Sequence, residues 1–524
     1  MLRHGFESYY VIGEGLLGES GRGRQLLSAT AAPPFRFSRM GPSGVGRQLG
    51  DPNLRKIAAA ITAGASSPAS GVPAGFTYLG QFIDHDLTFD KTNVMLGQNV
   101  TPAQLLQARS PSLDLDSLYG AGPQDPASAK FYESDGLHLK MGDAIAAGGE
   151  PAFPKHDLPR VGVGSSNAAK RTALIPDPRN DENLAVAQTH LAFIRFHNRV
   201  VDTLPSSTPA AQKFAAAREL VTKHYQWMIR TDFLPRICKQ SVVTDVFGHG
   251  RKAFEVGAVP TDVPTMPIEF SVAAYRLGHS MIRAAYNWNK DFDAGGGTLD
   301  YLFEFSGLSG DLGGNLKLAS NWVADFRRLY DFAEAGKANL TVPAAKFNRA
   351  RRIDTKIANP LHDLPSGTVG DPAIPDEDPR RNLAFRNLVR GKMVKLATGQ
   401  QMVRFLKNKG ITLNGLSRPQ IRDGNGGADL GTLTTNQRNA LLTNTPLWFY
   451  VLREAELNNG AMRGVGGRIV AETFHRAMEG GEFSIVRDTA FRPSLGPNNT
   501  TFRMVDLLLF AFEGNGALLN PLGD

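Results

Sequence analysis

Gly80-Gln81-Phe82-Ile83-Asp84-His85-Asp86-Leu87-Thr88-Phe89-Asp90 sets a histidine between two aspartates on an otherwise apolar segment. As a helix the segment turns about 100° per residue. Gln81 and His85, four apart, then share a face, and Asp84 lies beside it. Asp86 is about 200° round from Asp84, so the two carboxylates point to different places. One turn thus offers an imidazole with an amide partner and two carboxylates with separate tasks. A capped, solvated helix end, or a buried histidine held by one aspartate, is an equally good reading of this segment alone.

Four further stretches bear on the choice. Arg179-Asn180-Asp181-Glu182 precedes Leu191-Ala192-Phe193-Ile194-Arg195-Phe196-His197-Asn198-Arg199. Leu184, Ala187, Leu191, Ile194 and Val201 recur at helical spacing, which predicts a helix with one apolar face. Pro176 and Pro178 bar it from running far upstream, and Asn180 or Asp181 is the expected N-cap. Alone, Arg179 and Glu182 read as an exposed ion pair one turn apart, worth little. In Tyr275-Arg276-Leu277-Gly278-His279-Ser280 the glycine leaves room beside a histidine; a core-satisfied histidine is the plainer alternative. Asn382-Leu383-Ala384-Phe385-Arg386-Asn387-Leu388-Val389-Arg390-Gly391 also reads as a basic amphipathic helix. In Ser110-Pro111-Ser112-Leu113-Asp114-Leu115-Asp116-Ser117-Leu118-Tyr119-Gly120, residues 110, 112, 114 and 116 all carry oxygen and would point one way if extended. Calcium takes such hard oxygen ligands, about six to eight of them; a solvated acidic turn competes with that reading.

Taken in order, the five stretches resemble the motifs of the animal-type haem peroxidases, the peroxidase–cyclooxygenase superfamily. Gln81-x-x-Asp84-His85-Asp86 is similar to the family's distal-histidine signature. Arg179 with Glu182, ahead of a helix ending His197-Asn198-Arg199, is similar to the next. Arg276-x-Gly278-His279 resembles the proximal-histidine segment, and Asn387 matches the asparagine that accepts a hydrogen bond from that histidine's ring N–H, a common way to orient a metal-bound imidazole. The resemblance runs from about Arg36 to the end, and Arg36-Phe37-Ser38-Arg39-Met40 and Val465 to Glu472 look like segments of bacterial, peroxinectin-like members. Its specificity lies in the ordered set, not in any one motif.

The resemblance implies haem b with His279 as axial ligand, and hydrogen peroxide as oxidant for halides, thiocyanate or small organic donors. It implies His85 as the group that moves the peroxide proton, a task suited to an imidazole of near-neutral pKa. Arg179 would stabilise developing charge, and Gln81 would order water or bind a halide. Asp84 and Glu182 match carboxylates that become ester-linked to haem in the family; Arg276 counts with the cofactor-binding residues. One mammalian member carries a third link through a Met after the Glu. Here that position is Asn183, so the link is not expected. Calcium would be held by Asp86, Ser110, Ser112, Asp114 and Asp116. Mammalian members use a Thr, a backbone carbonyl, an Asp and a Ser for the last four, so this chain carries an extra carboxylate.

One alternative lies inside the superfamily, a fatty-acid dioxygenase; a haem-binding or adhesive protein without turnover is an alternative of a different class. The dioxygenases carry a radical-forming tyrosine three residues before the proximal histidine, where this chain has Arg276, with Tyr275 one further back. A metal hydrolase built on Asp84-His85-Asp86 would need ligands converging on one ion, which the helical angles oppose.

Composition narrows the class. A hydrophobic fraction of 42% and a charged fraction of 21% are those of an ordinary globular protein, not of a disordered chain. No run of eighteen apolar residues predicts a membrane span. The net charge of +8 is spread along the chain with no long basic run, so nucleic acid is not an expected partner. The single cysteine, Cys238, excludes an internal disulfide framework, and Met1 to Glu7 lacks the apolar core of a signal peptide. These favour a cytoplasmic, bacterial protein of undetermined oligomeric state.

The expected fold is mainly α, a haem-peroxidase-like helical domain with long loops and little sheet. Residues 1–50, rich in Gly, Ser and Arg, read as an arm, and 51–524 as one catalytic domain. Helices are expected at 52–64, 101–109, 182–204, 208–231, 271–285, 321–334, 378–396, 434–457 and 465–478. Residues 133–178 and 286–320 read as loops.

Overall fold

The apolar recurrence after Glu182 folds as one helix, Leu184–Thr203, which the side chain of Asn183 caps by accepting from the Val186 N–H. A computed structural model of the chain describes residues 9–11, 15–17, 35–64, 67–92, 94, 96–260, 262–364, 375 and 378–524. Against this helix lies a second, Gly75–Leu87, which carries the histidine and two aspartates and is almost wholly buried. Phe82 of the second helix stacks on Phe193 of the first, centroids 4.3 Å apart, and meets His190 edge-on at 5.7 Å. Burying one such aromatic side chain is worth roughly 1.5–3 kcal/mol. Gly75 starts its helix where a Cβ would stand 2.3 Å from the Tyr330 ring, whose hydroxyl donates to the Gly75 carbonyl. Only glycine fits that approach.

Around this pair the fold is helical, with Asp51–Thr62 packed on Leu383–Met393 and Gly464–Glu479 on Leu447–Glu456. Strands among the described residues form only two-stranded pieces. Phe37–Ser38 runs parallel to Met266–Pro267, and Ala69–Pro73 antiparallel to Arg349–Arg351. One contiguous core extends from Phe37 to Leu522. The segment ahead of the first long helix is held by side chains: Glu269 accepts from the N–H groups of Met40 and Gly41, and Arg39 donates to the carbonyls of Val394 and Lys395. No helix among the described residues is long and apolar enough to cross a membrane. The one cysteine, Cys238, is buried and free.

Several expected helices are broken, each for a local reason. At 101–109 only Pro102–Gln104 is helical. Beyond it the backbone runs extended, because Gln107 bonds the Phe89 N–H and the Leu87 carbonyl, and Leu106 N–H bonds Thr92. Residues 321–334 make three short turns; Asp325 and Asp331 each accept from an N–H two residues on, which competes with a continuous helix. Residues 271–285 break at Ala273 and end in a strand, Ala285–Tyr286, paired with Gly297–Thr298. The stretch 434–457 is two helices, Thr435–Thr443 and Leu447–Glu456, parted at Asn444 and Pro446. Within 133–178, Gly142–Ala144 pairs with Phe153–Asp157 as a hairpin. Gln240–His249, Gly399–Asn408 and Met504–Ala511 are helices the periodicity had not marked.

Candidate active site

A cavity lies between the Gly75–Leu87 helix and the His279 turn. Gln81 and Asp84 line one wall, and Arg276, Gly278 and His279 the other. Phe233 closes one end; it sits at the close of a π-helical turn, Ile229–Phe233, that re-aims the side chains after helix Lys213–Met228. A second cavity is lined by Arg179, Arg276, Arg390 and Asp90, so Arg276 belongs to both.

His85 is buried, and its Nδ1 lies 2.9 Å from Asn180 Oδ1. An amide oxygen only accepts, so the ring proton is on Nδ1 and the lone pair on Nε2. Nε2 stands 3.7 Å from Glu182 Oε1. The expected amide partner, Gln81, is engaged elsewhere: it donates to Glu182 Oε1 and accepts from Asn183 at 3.0 Å. Asn180 is not a helix cap either. Its Nδ2 faces His190 Nδ1 at 2.9 Å, so it bridges two rings. Asp181 pairs with Arg160, which leaves the cap to Asn183.

Arg179 does not pair with Glu182. Its Nε and Nη2 bind Asp177 at 3.0 and 2.7 Å, Nη2 also donates to the His85 carbonyl at 3.0 Å, and the guanidinium lies 4.2 Å over the Phe89 ring. Asp177 also takes Arg109 Nη2 at 2.6 Å, and Arg109 Nη1 reaches Asp116 Oδ1 at 3.3 Å. Neither Asp177 nor Arg109 stood out in the sequence. The available signals were Asp177 two before Arg179, where it caps a turn, and Arg109 directly before Ser110.

Electrostatics follow from burial. Burial, and then the Arg179 charge, lower His85 to about 3. Burial raises Asp84 to about 6, against the pull of Arg179 and Arg276, and raises Glu182 to about 8. Burial opposes ionisation of Asp177 too, but Arg179 and Arg109 outweigh it and hold that carboxyl well below the usual range.

On the facing wall, His279 Nδ1 lies 2.8 Å from Asn387 Nδ2, and Arg276 Nη1 donates to Asn387 Oδ1. The oxygen expected to accept from the His279 ring is therefore turned to Arg276. A Cβ at Gly278 would meet nothing within 4 Å.

The last cluster lies behind the Gly75–Leu87 helix. Asp86, Asp114 and Asp116 each offer a carboxylate oxygen, all within 4.8 Å of one another. The loop reaches this arrangement by bending, not as an extended strand: Leu115 has φ 60° and starts the short helix Asp116–Tyr119. Ser110 Oγ donates to Asp114 at 2.9 Å, and Ser112 is buried in the same bend. Burial, then the charge of Asp116, raises Asp114 to about 7; burial and both neighbours push Asp86 up as well. Three such carboxylates ionise together only beside a cation.

Known proteins resemble this chain in sequence and in fold. The family model described as animal haem peroxidase matches residues 91–299. Thyroid peroxidase of Sus scrofa is 26% identical over 191 residues, 34% of this chain and 20% of that protein, so the match spans about a fifth of that relative's length. Peroxidase A of Dictyostelium discoideum shares the fold with a TM-score of 0.59 at 16% identity, covering 93% of this chain and 94% of that one. A fatty acid alpha-dioxygenase of Arabidopsis thaliana shares it at 0.55 and 12% identity, over 92% and 78%. The mainly helical fold is thus shared with both of these structures. The sequence likeness to animal haem peroxidases, a family that implies haem, covers residues 91–299, while the likeness in fold runs over nearly the whole chain.

Proposed function

We propose that this chain is a haem peroxidase that reduces hydrogen peroxide and oxidises halides, thiocyanate or small organic donors. The observation that carries the proposal is one cavity with His279 on one wall and, on the other, the helix that holds Asp84 and, next to it, His85 beside Arg179.

The residues present fit a haem. Glu182 Oε2 is buried with no hydrogen-bond partner among the described residues, Gly278 leaves open space beside His279, and Arg276 reaches both cavities with Arg390 nearby, where an acidic group would be met by cations. His279 would hold the iron, Asp84 and Glu182 would link to the ring as esters, and Arg276 would meet its carboxylates. When bound, haem supplies an iron with one position open to peroxide. Neutral His85 would then take the peroxide proton at Nε2 and return it to the departing oxygen, while Asn180 keeps the other ring nitrogen protonated. Arg179, oriented by Asp177, would stabilise the negative charge that develops as the O–O bond breaks. Gln81, tied to Glu182 and Asn183, would order water or a halide on that face.

Calcium at Asp86, Ser110, Ser112, Asp114 and Asp116 would neutralise the crowded carboxylates and brace the helix next to His85. The continuous core supports reading 51–524 as one catalytic domain, most of the 1–50 arm lies outside the described residues, and the single cysteine supports a cytoplasmic, bacterial setting. Arg276, standing where the dioxygenases have tyrosine, favours peroxidase over fatty-acid dioxygenase chemistry.

The test is reconstitution with haem, then assays with peroxide and iodide or bromide, and with oxygen and a fatty acid. A Soret band lost in His279→Ala and peroxide-dependent halide or organic oxidation are expected. No Soret band, or oxygen uptake with fatty acid and no peroxidase turnover, would overturn the reading.

A further inference from the structure

Asn387 is fully buried between Arg276 and His279. A carboxamide has one accepting end and one donating end, and a guanidinium only donates. With Arg276 on Asn387, the amide oxygen has to face Arg276, and Nδ2 faces His279 Nδ1. That ring nitrogen must then accept, which sets the imidazole proton on Nε2. A neutral ring in this state has no lone pair free for iron: one is spent on Asn387, and the other nitrogen carries hydrogen. Turning the amide alone would set Nδ2 against the guanidinium, donor to donor, with the carbonyl oxygen turned away from its cation. Ligation therefore requires Arg276 to leave Asn387 first.

The same side chain lines the second cavity, beside Arg179 and Arg390, and its Nε stays anchored on the Ser271 carbonyl at 3.1 Å. An anion entering that cavity competes with Asn387 for the guanidinium. We propose that Arg276 is an interlock that admits only an iron porphyrin bearing free carboxylates to axial ligation by His279. The porphyrin carboxylate draws Arg276 away and the amide turns. The ring gives up its proton at Nε2 and gains one at Nδ1, where Asn387 Oδ1 now accepts it. No net proton or electron is exchanged. Arg276 thereby acts on ligation through Asn387, as a specificity-determining residue, in addition to any direct contact with the porphyrin. The inference rests on the haem reading above.

The experiment titrates protein freed of haem with haemin or with haemin dimethyl ester, whose carboxylates are capped. Axial ligation is read from the iron–histidine stretching line in the resonance Raman spectrum of the reduced complex, and affinity from absorbance. Wild type should show the line with haemin, and should bind the ester without it and about tenfold or more weaker, the scale of one charge-assisted hydrogen bond. Arg276→Met should restore the line with the ester and bind it more tightly than wild type does. Asn387→Asp should do so too, because two carboxylate oxygens accept from Arg276 and His279 at once. A simple ion pair between Arg276 and the porphyrin instead predicts that ester binding is unchanged by Arg276→Met. That result, or a full iron–histidine line from the ester in wild type, overturns the interlock while leaving the haem site intact. Absence of the line with haemin in wild type overturns the axial assignment, and the interlock with it.

Discussion

Asp177 is the residue whose loss should cost most for its size. It accepts from the Arg179 N–H, Nε and Nη2 and from Arg109 Nη2, all within 3.0 Å, with no exposure to solvent. Asp177→Asn keeps the shape and removes the charge. Arg109 retains Asp116 at 3.3 Å, but Arg179 forms no ion pair with a second carboxylate among the described residues. Orphaning one buried cation costs about 3–5 kcal/mol. The reverse change is cheaper: Arg179→Met leaves Asp177 with Arg109, and should cost about 1–2 kcal/mol for the hydrogen bonds lost. In the double variant no cation is orphaned, so it should lie near Arg179→Met alone, giving a coupling of about 3–5 kcal/mol between the two positions. Urea midpoints at fixed slope measure all three, once refolding is shown to be reversible. A cost for Asp177→Asn below about 1 kcal/mol, or strict additivity in the double variant, would refute the argument that Asp177 is the shared counter-ion.

The other predictions concern chemistry and metal. His85→Ala should keep its Soret band and lose about 10²–10⁴ in the rate of reaction with peroxide by stopped flow. Because His85 is lowered to about 3, its neutral form persists on acidification, so this rate should hold from neutral pH to about 4 and fall only as pH nears 3; a midpoint near 6.5 would show the ring is not so buried. Metal analysis should find calcium, and prolonged chelation or Asp114→Ala should lower both the melting temperature and the peroxide rate. With Asp114 raised to about 7, protons compete for the site below that pH, so calcium should bind more weakly there and displace protons as it binds; metal-free protein with unchanged melting would reduce the loop to a turn. After peroxide treatment, acid–organic extraction should leave haem on the wild-type chain and release it from an Asp84→Ala, Glu182→Gln double variant. Complete extraction from wild type would exclude the ester links.

What the chain itself determined is what period and local chemistry carry. The recurrence from Leu184 to Val201 needs no partner to be read, because a helix repeats its face every 3.6 residues whatever lies opposite. The same arithmetic separates Asp84 from Asp86, and in the fold one lines the cavity while the other meets Asp114 and Asp116. Tertiary structure decided the matters in which two distant segments compete for one group. Gln81 sits one turn from His85, yet Glu182 and Asn183 take its amide, and Asn180 takes the imidazole. Arg179 sits one turn from Glu182, yet Asp177 holds it and shares that charge with Arg109 from far upstream. The amide of Asn387 is oriented by Arg276, more than a hundred residues away in the chain. In water each of these polar groups would be satisfied by solvent, and sequence spacing would suffice as a guide. Buried, each must find its partner within the protein, and which partner it finds depends on every segment that the fold brings to the same place.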